Sequence, residues 1–374
     1  MQRRAFLQHS VLGLVSTGTA ATALRHFAAL PARPADGPLH LGANENPLGP
    51  SPAALQAIRE GLALAHRYPF AAHRNLVSAL AKHHGLAPDQ VVLGAGSSEV
   101  LQMAVQAFAG TGAVIVLASP TYEDAPGYAS PWQLRVEAVP LRADWSHDVA
   151  RMREVAEACK GPAVVYVCNP NNPTGTLTPA AELDQWIESS TGKVTFLVDE
   201  AYFEFADGAP GFGSAMKWVQ SRDNVIVTRT FSKIHGLAGL RIGYGLAHRD
   251  LAARLRRLQS HNDCNILGLL AAGACLADGR HAQASLRSNT AARDVVAGVL
   301  KELELRALPS HANFVMHEIR TDLAAYSARM FEAGIVVGRA FPPLLGYNRL
   351  SLGTPEEMAR FAETLRDFRK KGWV

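Results

Sequence analysis

Val194-Thr195-Phe196-Leu197-Val198-Asp199-Glu200-Ala201-Tyr202, followed by Asn224-Val225-Ile226-Val227-Thr228-Arg229-Thr230-Phe231-Ser232-Lys233, decides how the chain is read. Each stretch is a short apolar run that ends on polar residues. The apolar parts, 194–198 and 224–228, are nearly continuous and rich in β-branched residues, where a half-buried strand would alternate. Runs of this kind suit strands covered on both faces. Similar runs occur at 91–93, 113–118, 163–167 and 242–246. Helix-compatible stretches lie between them, including 99–109 and 179–188; the second follows Thr178-Pro179, with Glu182 in its first turn. Strand and helix alternate, which predicts an α/β fold with a mostly parallel sheet flanked by helices.

Beyond about residue 251 the pattern becomes helical as far as about 303. Strand-like pieces then follow at 313–317, 334–337 and 349–352, and a helix at 355–369 closes the chain. A smaller α+β C-terminal domain is therefore expected. The division predicted is a leader and linker (1–38), an N-terminal arm (39–65), a large domain (66–262) and a small domain (263–374). With 374 residues, 48% hydrophobic and 19% charged, the composition is that of a folded chain with a large core. No run approaches the roughly 18 apolar residues of a membrane-spanning helix.

Charge excludes one class of partner. Arg3, Arg4, Arg25 and Arg33 lie in residues 1–35, which contain no acid, and beyond them 33 basic residues balance 33 acidic ones. No basic stripe for nucleic acid remains. Cys159, Cys168, Cys264 and Cys275 show no paired spacing and read as small buried thiols. The histidines, among them His83-His84, show no metal-ligand spacing, so no metal is expected.

Polar residues follow the apolar runs one after another: Gly94-Ala95-Gly96-Ser97-Ser98, Pro120-Thr121-Tyr122, Asn169 to Gly175, Asp199 to Tyr202, and Thr230 to Lys233. Ligands bind beyond the carboxyl ends of strands in an open α/β sheet, so these groups belong to one candidate site. Singly, each has a plainer reading. Asp199 suits a helix N-cap, Tyr122 the core, Asn172 a turn before Pro173, and Arg241 a structural ion pair.

Asp199-x-x-Tyr202, Ser232-Lys233 about thirty residues on, and Gly239-Leu240-Arg241-Ile242-Gly243 together resemble the fold-type I pyridoxal-phosphate aminotransferases. The resemblance covers roughly residues 40–365. Within that group the chain is most similar to histidinol-phosphate aminotransferases, through Gly42-Ala43-Asn44-Glu45-Asn46-Pro47, Arg67-Tyr68-Pro69 and Arg349-Leu350-Ser351-Leu352-Gly353-Thr354. It implies an aspartate aminotransferase-like fold and a pyridoxal 5'-phosphate cofactor held by Lys233 as a Schiff base.

A lysine in that role must lose a proton well below its free value of about 10.4. Asp199 would keep the pyridine nitrogen protonated, making the ring an electron sink. Tyr202 and Asn172 would bond the phenolic oxygen, and Tyr122 would stack on the ring. The phosphate would take the N–H groups of Ser97 and Ser98 at a helix start, the hydroxyls of Thr230 and Ser232, and Arg241. Tyr68 would reach the cofactor of a neighbouring subunit, implying a homodimer with shared active sites.

On the substrate side the resemblance assigns Asn44, Arg349 for a carboxylate and Arg339 for a substrate phosphate. In this chain Gly334-Ile335-Val336-Val337-Gly338-Arg339 carries one residue more before the arginine than the family's Gly-Ile-x-x-Arg. Phe341-Pro342-Pro343 follows it. The function implied is transfer of an amino group between an L-amino acid, histidinol phosphate or an aromatic amino acid included, and a 2-oxo acid. A decarboxylase of a phosphorylated amino acid shares the cofactor residues, but an Arg349 that grips the carboxylate favours transamination. A non-catalytic cofactor-binding regulator would carry a DNA-binding domain, for which the leader has no room.

Arg3-Arg4, Phe6-Leu7 and a weakly apolar stretch at 11–24 resemble a twin-arginine export signal, with Ala21-Thr22-Ala23 a cleavage site. The alternative is an amphipathic segment on a cytoplasmic enzyme. Twin-arginine export carries folded proteins, which suits an enzyme that acquires its cofactor in the cytoplasm, and it implies a periplasmic location. Replacing Arg3 and Arg4 by lysine should retain the protein in the cytoplasmic fraction; unchanged export of that variant would overturn this reading.

Overall fold

The computed structural model describes residues 37–374 apart from His261; the expected leader, with Arg3 and Arg4, lies outside the described residues. The first strands are β1 (Leu39–Leu41), β2 (Val91–Gly94), β3 (Val114–Ser119), β4 (Arg135–Pro140), β5 (Ala163–Cys168) and β6 (Val194–Asp199). Then come β7 (Val225–Thr230), β8 (Gly243–Ala247), β9 (Phe314–Glu318), β10 (Ile335–Val337) and β11 (Tyr347–Ser351).

Seven strands form one sheet in the order β2-β8-β7-β6-β5-β3-β4. Every residue of β5, β6 and β7 is buried, as their continuous apolar runs require. β4 has no such run. It is the edge strand, and Arg135, Val136, Glu137 and Pro140 reach solvent, so its apolar signal is broken.

β8 runs antiparallel to β7 and β2, while the other strands of the sheet share one direction. The carboxyl ends of β2, β3, β5, β6 and β7 therefore meet at one edge. β8 starts from that same edge, so Arg241 arrives there from the amino side of its strand. Gly243 makes the closeness possible: a Cβ on it would stand 2.1 Å from the backbone nitrogen of Ser97. The same edge is braced by a buried ion pair. Arg229 Nη2 lies 2.7 Å from Glu200 Oε2, and its guanidinium packs 3.5 Å from the centre of the Phe203 ring. Its desolvation limits what the pair adds to stability, but removing either partner would strand a buried charge.

A second core forms where Leu39, Leu41, Val296, Tyr326, Leu350 and Phe361 meet. β1 pairs with β10 in parallel, and β9 with β11 antiparallel. The strand pieces expected at 313–317, 334–337 and 349–352 appear there, each shifted by two residues or fewer. The division expected along the chain does not follow the packing. The helix Ile266–Ala277 places Leu269, Ala271, Ala272 and Cys275 in the core of the seven-stranded sheet, along with Ala54 of the presumed arm. That helix is apolar on most of its surface and needs cover on several sides, so the chain passes to the second core near Gly279 instead of at 262/263.

Period-two geometry in β11 aims the second core's contribution. Leu350 is fully buried in that core, so Arg349 and Ser351 face the opposite way, toward the ends of β5 and β6.

Candidate active site

A cavity of about 350 Å³ opens where these strand ends meet segment 43–45 and β11. Ser97, Ser98, Tyr122, Asn172, Asp199 and Tyr202 line it, as do Thr230, Ser232, Lys233, Arg241, Arg349 and Asn44. Two expected residues do not. Tyr68 is 74% exposed, its ring beside that of Phe70, and Arg339 is exposed and paired with Glu123.

Asp199 ends β6 and is buried. Burial pushes its carboxyl up to about 6, although Thr228 Oγ1 and Tyr166 Oη donate to it at 2.9 and 3.1 Å. No described cation pairs with it, and it caps no helix. Lys233, three residues beyond the end of β7, has its amine lowered to about 8, first by burial and then by the charge of Arg349. Its Nζ donates to the carbonyl of Asn44 at 3.2 Å and lies 5.7 Å from the centre of the Tyr202 ring.

Asn44 is fixed from several sides. It takes φ 54°, a left-handed conformation that asparagine tolerates better than most residues. Its N–H donates to Ser351 Oγ (2.7 Å), its Nδ2 to Tyr202 Oη (2.9 Å), and its Oδ1 accepts from Ser351 Oγ (3.0 Å). Burial raises the Tyr202 phenol, so that hydroxyl stays protonated at neutral pH.

The other end of the cavity is built for an anion. The helix Ser97–Gln106 begins there behind Gly96, whose φ of 80° turns the chain, and its first N–H groups have no partner within the helix. Arg241 Nη1 donates to Ser232 Oγ at 3.2 Å, and Thr230 Oγ1 is 3.0 Å from the same hydroxyl. Arg241 pairs with no described acid, so the ion-pair reading of it has no partner here. Gly96 leaves the room: a Cβ would stand 2.1 Å from Arg241 Nη2.

Arg349 brings a second cation. It is buried, donates to Asn172 Oδ1 (2.7 Å) and to the carbonyl of Gly42 (2.8 Å), and its Nε has no hydrogen-bond partner. Tyr122 also lines the cavity, its hydroxyl donating to Asp124 at 2.6 Å.

Sequence reasoning missed Tyr166, Thr228, Asp124 and Ser351. A signal for the first two was present. Tyr166 lies within the apolar run of β5 and Thr228 closes that of β7; both strands are fully buried, so each must find a partner inside.

Residues 36–365 match the family model of aminotransferases of class I and II. The chain belongs to that family. It is 34% identical over 333 residues to a histidinol-phosphate aminotransferase of Moorella thermoacetica, covering 88% of this chain and 85% of that one. A solved structure from Erwinia carotovora atroseptica is 40% identical, with a TM-score of 0.88 over 90% of this chain and 97% of its own. The histidinol-phosphate aminotransferase of Sinorhizobium meliloti, solved in complex with pyridoxal 5'-phosphate, is 28% identical, with a TM-score of 0.80 over 88% and 91% of the two chains.

The protein is a pyridoxal-phosphate-dependent transaminase, and the residues present fit that cofactor. An unpaired guanidinium beside free helix N–H groups suits its phosphate. A buried carboxylate without a cation suits its ring nitrogen, and a half-buried amine of lowered pKa suits its aldehyde. The amine provides a pH test. Below about 8 Lys233 is charged and cannot attack an aldehyde; above it the neutral form dominates. Capture of pyridoxal phosphate by cofactor-free protein, trapped with borohydride, should rise with pH to a plateau with its midpoint near 8. A rate still climbing toward about 10, as for a free lysine, would contradict the lowered value.

Proposed function

We propose that this aminotransferase takes an amino donor with one anionic head group, carboxylate or phosphate, on Arg349. The donor would carry an imidazole or aromatic side chain, as in histidinol phosphate or an aromatic amino acid, and a 2-oxo acid would accept the amino group. The observation that carries the reading is the guanidinium of Arg349. It is buried, meets only neutral oxygens, and keeps an unpartnered Nε at a cavity shared with Lys233. A planar cation in that state has its bonds to spare for an anion. The relatives' names point to histidinol phosphate, whose phosphate stands where an amino acid has its carboxylate.

Pyridoxal phosphate, when bound, supplies the electron sink for the bonds at the donor's Cα. Arg241, Ser97, Ser98, Thr230 and Ser232 would hold its phosphate, and Asp199 its ring nitrogen. Tyr202 and Asn172 would face its phenolic oxygen, and Tyr122 its ring. Lys233 Nζ would then remove the proton from the donor's Cα, and Arg349 would orient that C–H bond by fixing the head group. Retention of the carboxylate on Arg349 favours transamination over decarboxylation.

A homodimer is part of the proposal. Leu48, Leu55, Leu62, Leu64, Tyr68 and Phe70 are all exposed within one short segment, an apolar surface that a second copy would cover. Tyr68 would then reach the neighbouring active site.

Half-reactions with cofactor-loaded protein test the reading. Histidinol phosphate and phenylalanine should each bleach the cofactor band, and Arg349→Gln should raise their KM roughly 100-fold, the scale of a lost charge-assisted hydrogen bond. Donors that react with unchanged KM in that variant would remove Arg349 from the account.

A further inference from the structure

Arg339 is separated from Arg349 by one aromatic ring. The centre of Phe341, a buried residue, lies 4.2 Å from the guanidinium carbon of Arg339 and 4.6 Å from that of Arg349. The two arginines differ in what they hold. Arg349 meets neutral oxygens, whereas Arg339 is already engaged by an acid of this chain. Its Nη2 lies 2.5 Å from Glu123 Oε2 and its Nη1 3.4 Å from Glu123 Oε1. Glu123 follows Tyr122, and Arg339 shares the Phe341 ring with Arg349; Tyr122 and Arg349 both line the cavity, so the pair stands beside it. Arg349 is within reach of both charges: Arg339 disfavours its cationic form and Glu123 favours it.

The consequence concerns substrate side chains. A donor whose head group is on Arg349 and whose side chain carries a second anion needs a second cation. Arg339 is the cation one ring away, and Glu123 occupies it. Both side chains of that pair are more than half exposed, so the contact is a weak one that an incoming anion would have to displace. An incoming carboxylate exchanges one ion pair for another and gains little. A neutral or cationic side chain pays no such exchange.

We propose that Glu123 is a specificity residue, holding Arg339 away from substrate and so biasing the enzyme against donors and acceptors with a second carboxylate or phosphate. This rests on the reading that Arg349 binds the first anionic group. The one-residue insertion before Arg339 and the following Phe341 are the local features that set the guanidinium against Glu123.

The test uses cofactor-loaded wild type, Glu123→Gln, Arg339→Gln and the double variant. Affinities for the unreactive acids succinate and propionate are measured by calorimetry, beside KM for glutamate and for phenylalanine in half-reactions. Glu123→Gln should tighten succinate and lower the KM for glutamate by about fivefold, the upper scale of one exposed ion pair, with propionate and phenylalanine unchanged. Arg339→Gln alone should leave the succinate-to-propionate ratio within about twofold, and the double variant should lose the gain. The proposal is overturned if Glu123→Gln shifts both acids alike or neither, or if the double variant keeps the gain. Propionate binding that survives Arg349→Gln overturns the Arg349 reading instead, and the succinate-to-propionate ratio still judges Glu123.

Discussion

Six strands of the central sheet run in one direction, and the chemistry of this protein depends on that shared direction. Each of the strands β2, β3, β5, β6 and β7 hands its last polar residues to the same edge, while β8 starts there and brings Arg241. Fully buried strands leave few places for polar side chains, and the edge is one of them. Gly243 and Gly96 keep the backbone and Arg241 close enough for the cradle to close. The second core then supplies Arg349 and Ser351 from a strand whose intervening Leu350 is anchored in apolar packing.

Charge in this cavity is arranged in complementary deficits. Asp199 is a carboxylate without a cation, Arg241 and Arg349 are cations without an acid, and Lys233 is an amine drawn toward neutrality. Burying Asp199 and Arg349 unpaired costs free energy, and with the exposed Arg241 and half-buried Lys233 beside them they mark a site awaiting a zwitterionic ligand. Pyridoxal phosphate with an anionic donor answers each deficit. Glu123 and Arg339, which meets the Phe341 ring as Arg349 does, already satisfy each other, which is why they read as a filter and not as part of the cradle.

Much of this was legible in the sequence, and the misses have physical causes. Runs such as 163–167 and 194–198 announce doubly covered strands, and the polar residues at their ends announce the edge where they gather. β4 escaped because an edge strand exposes one face and breaks its apolar run. The helix Ile266–Ala277 was assigned to the wrong core because helical periodicity reveals an apolar surface without naming its partner. Arg339 was legible as a residue out of register, but its partner Glu123 is 216 residues away, and no local pattern links them. Tyr166 and Thr228 lay hidden for the opposite reason. Tyr166 sits inside an apolar run and Thr228 at the end of one, and an apolar run signals a strand without showing which buried partner its polar member takes.

The central claim is that this edge converges on Lys233 as the residue that carries the cofactor. Borohydride reduction of the cofactor-loaded protein, followed by proteolysis and mass spectrometry, reads that directly. The adduct should map to Lys233 alone; an adduct on another lysine, with Lys233 unmodified, would contradict the account.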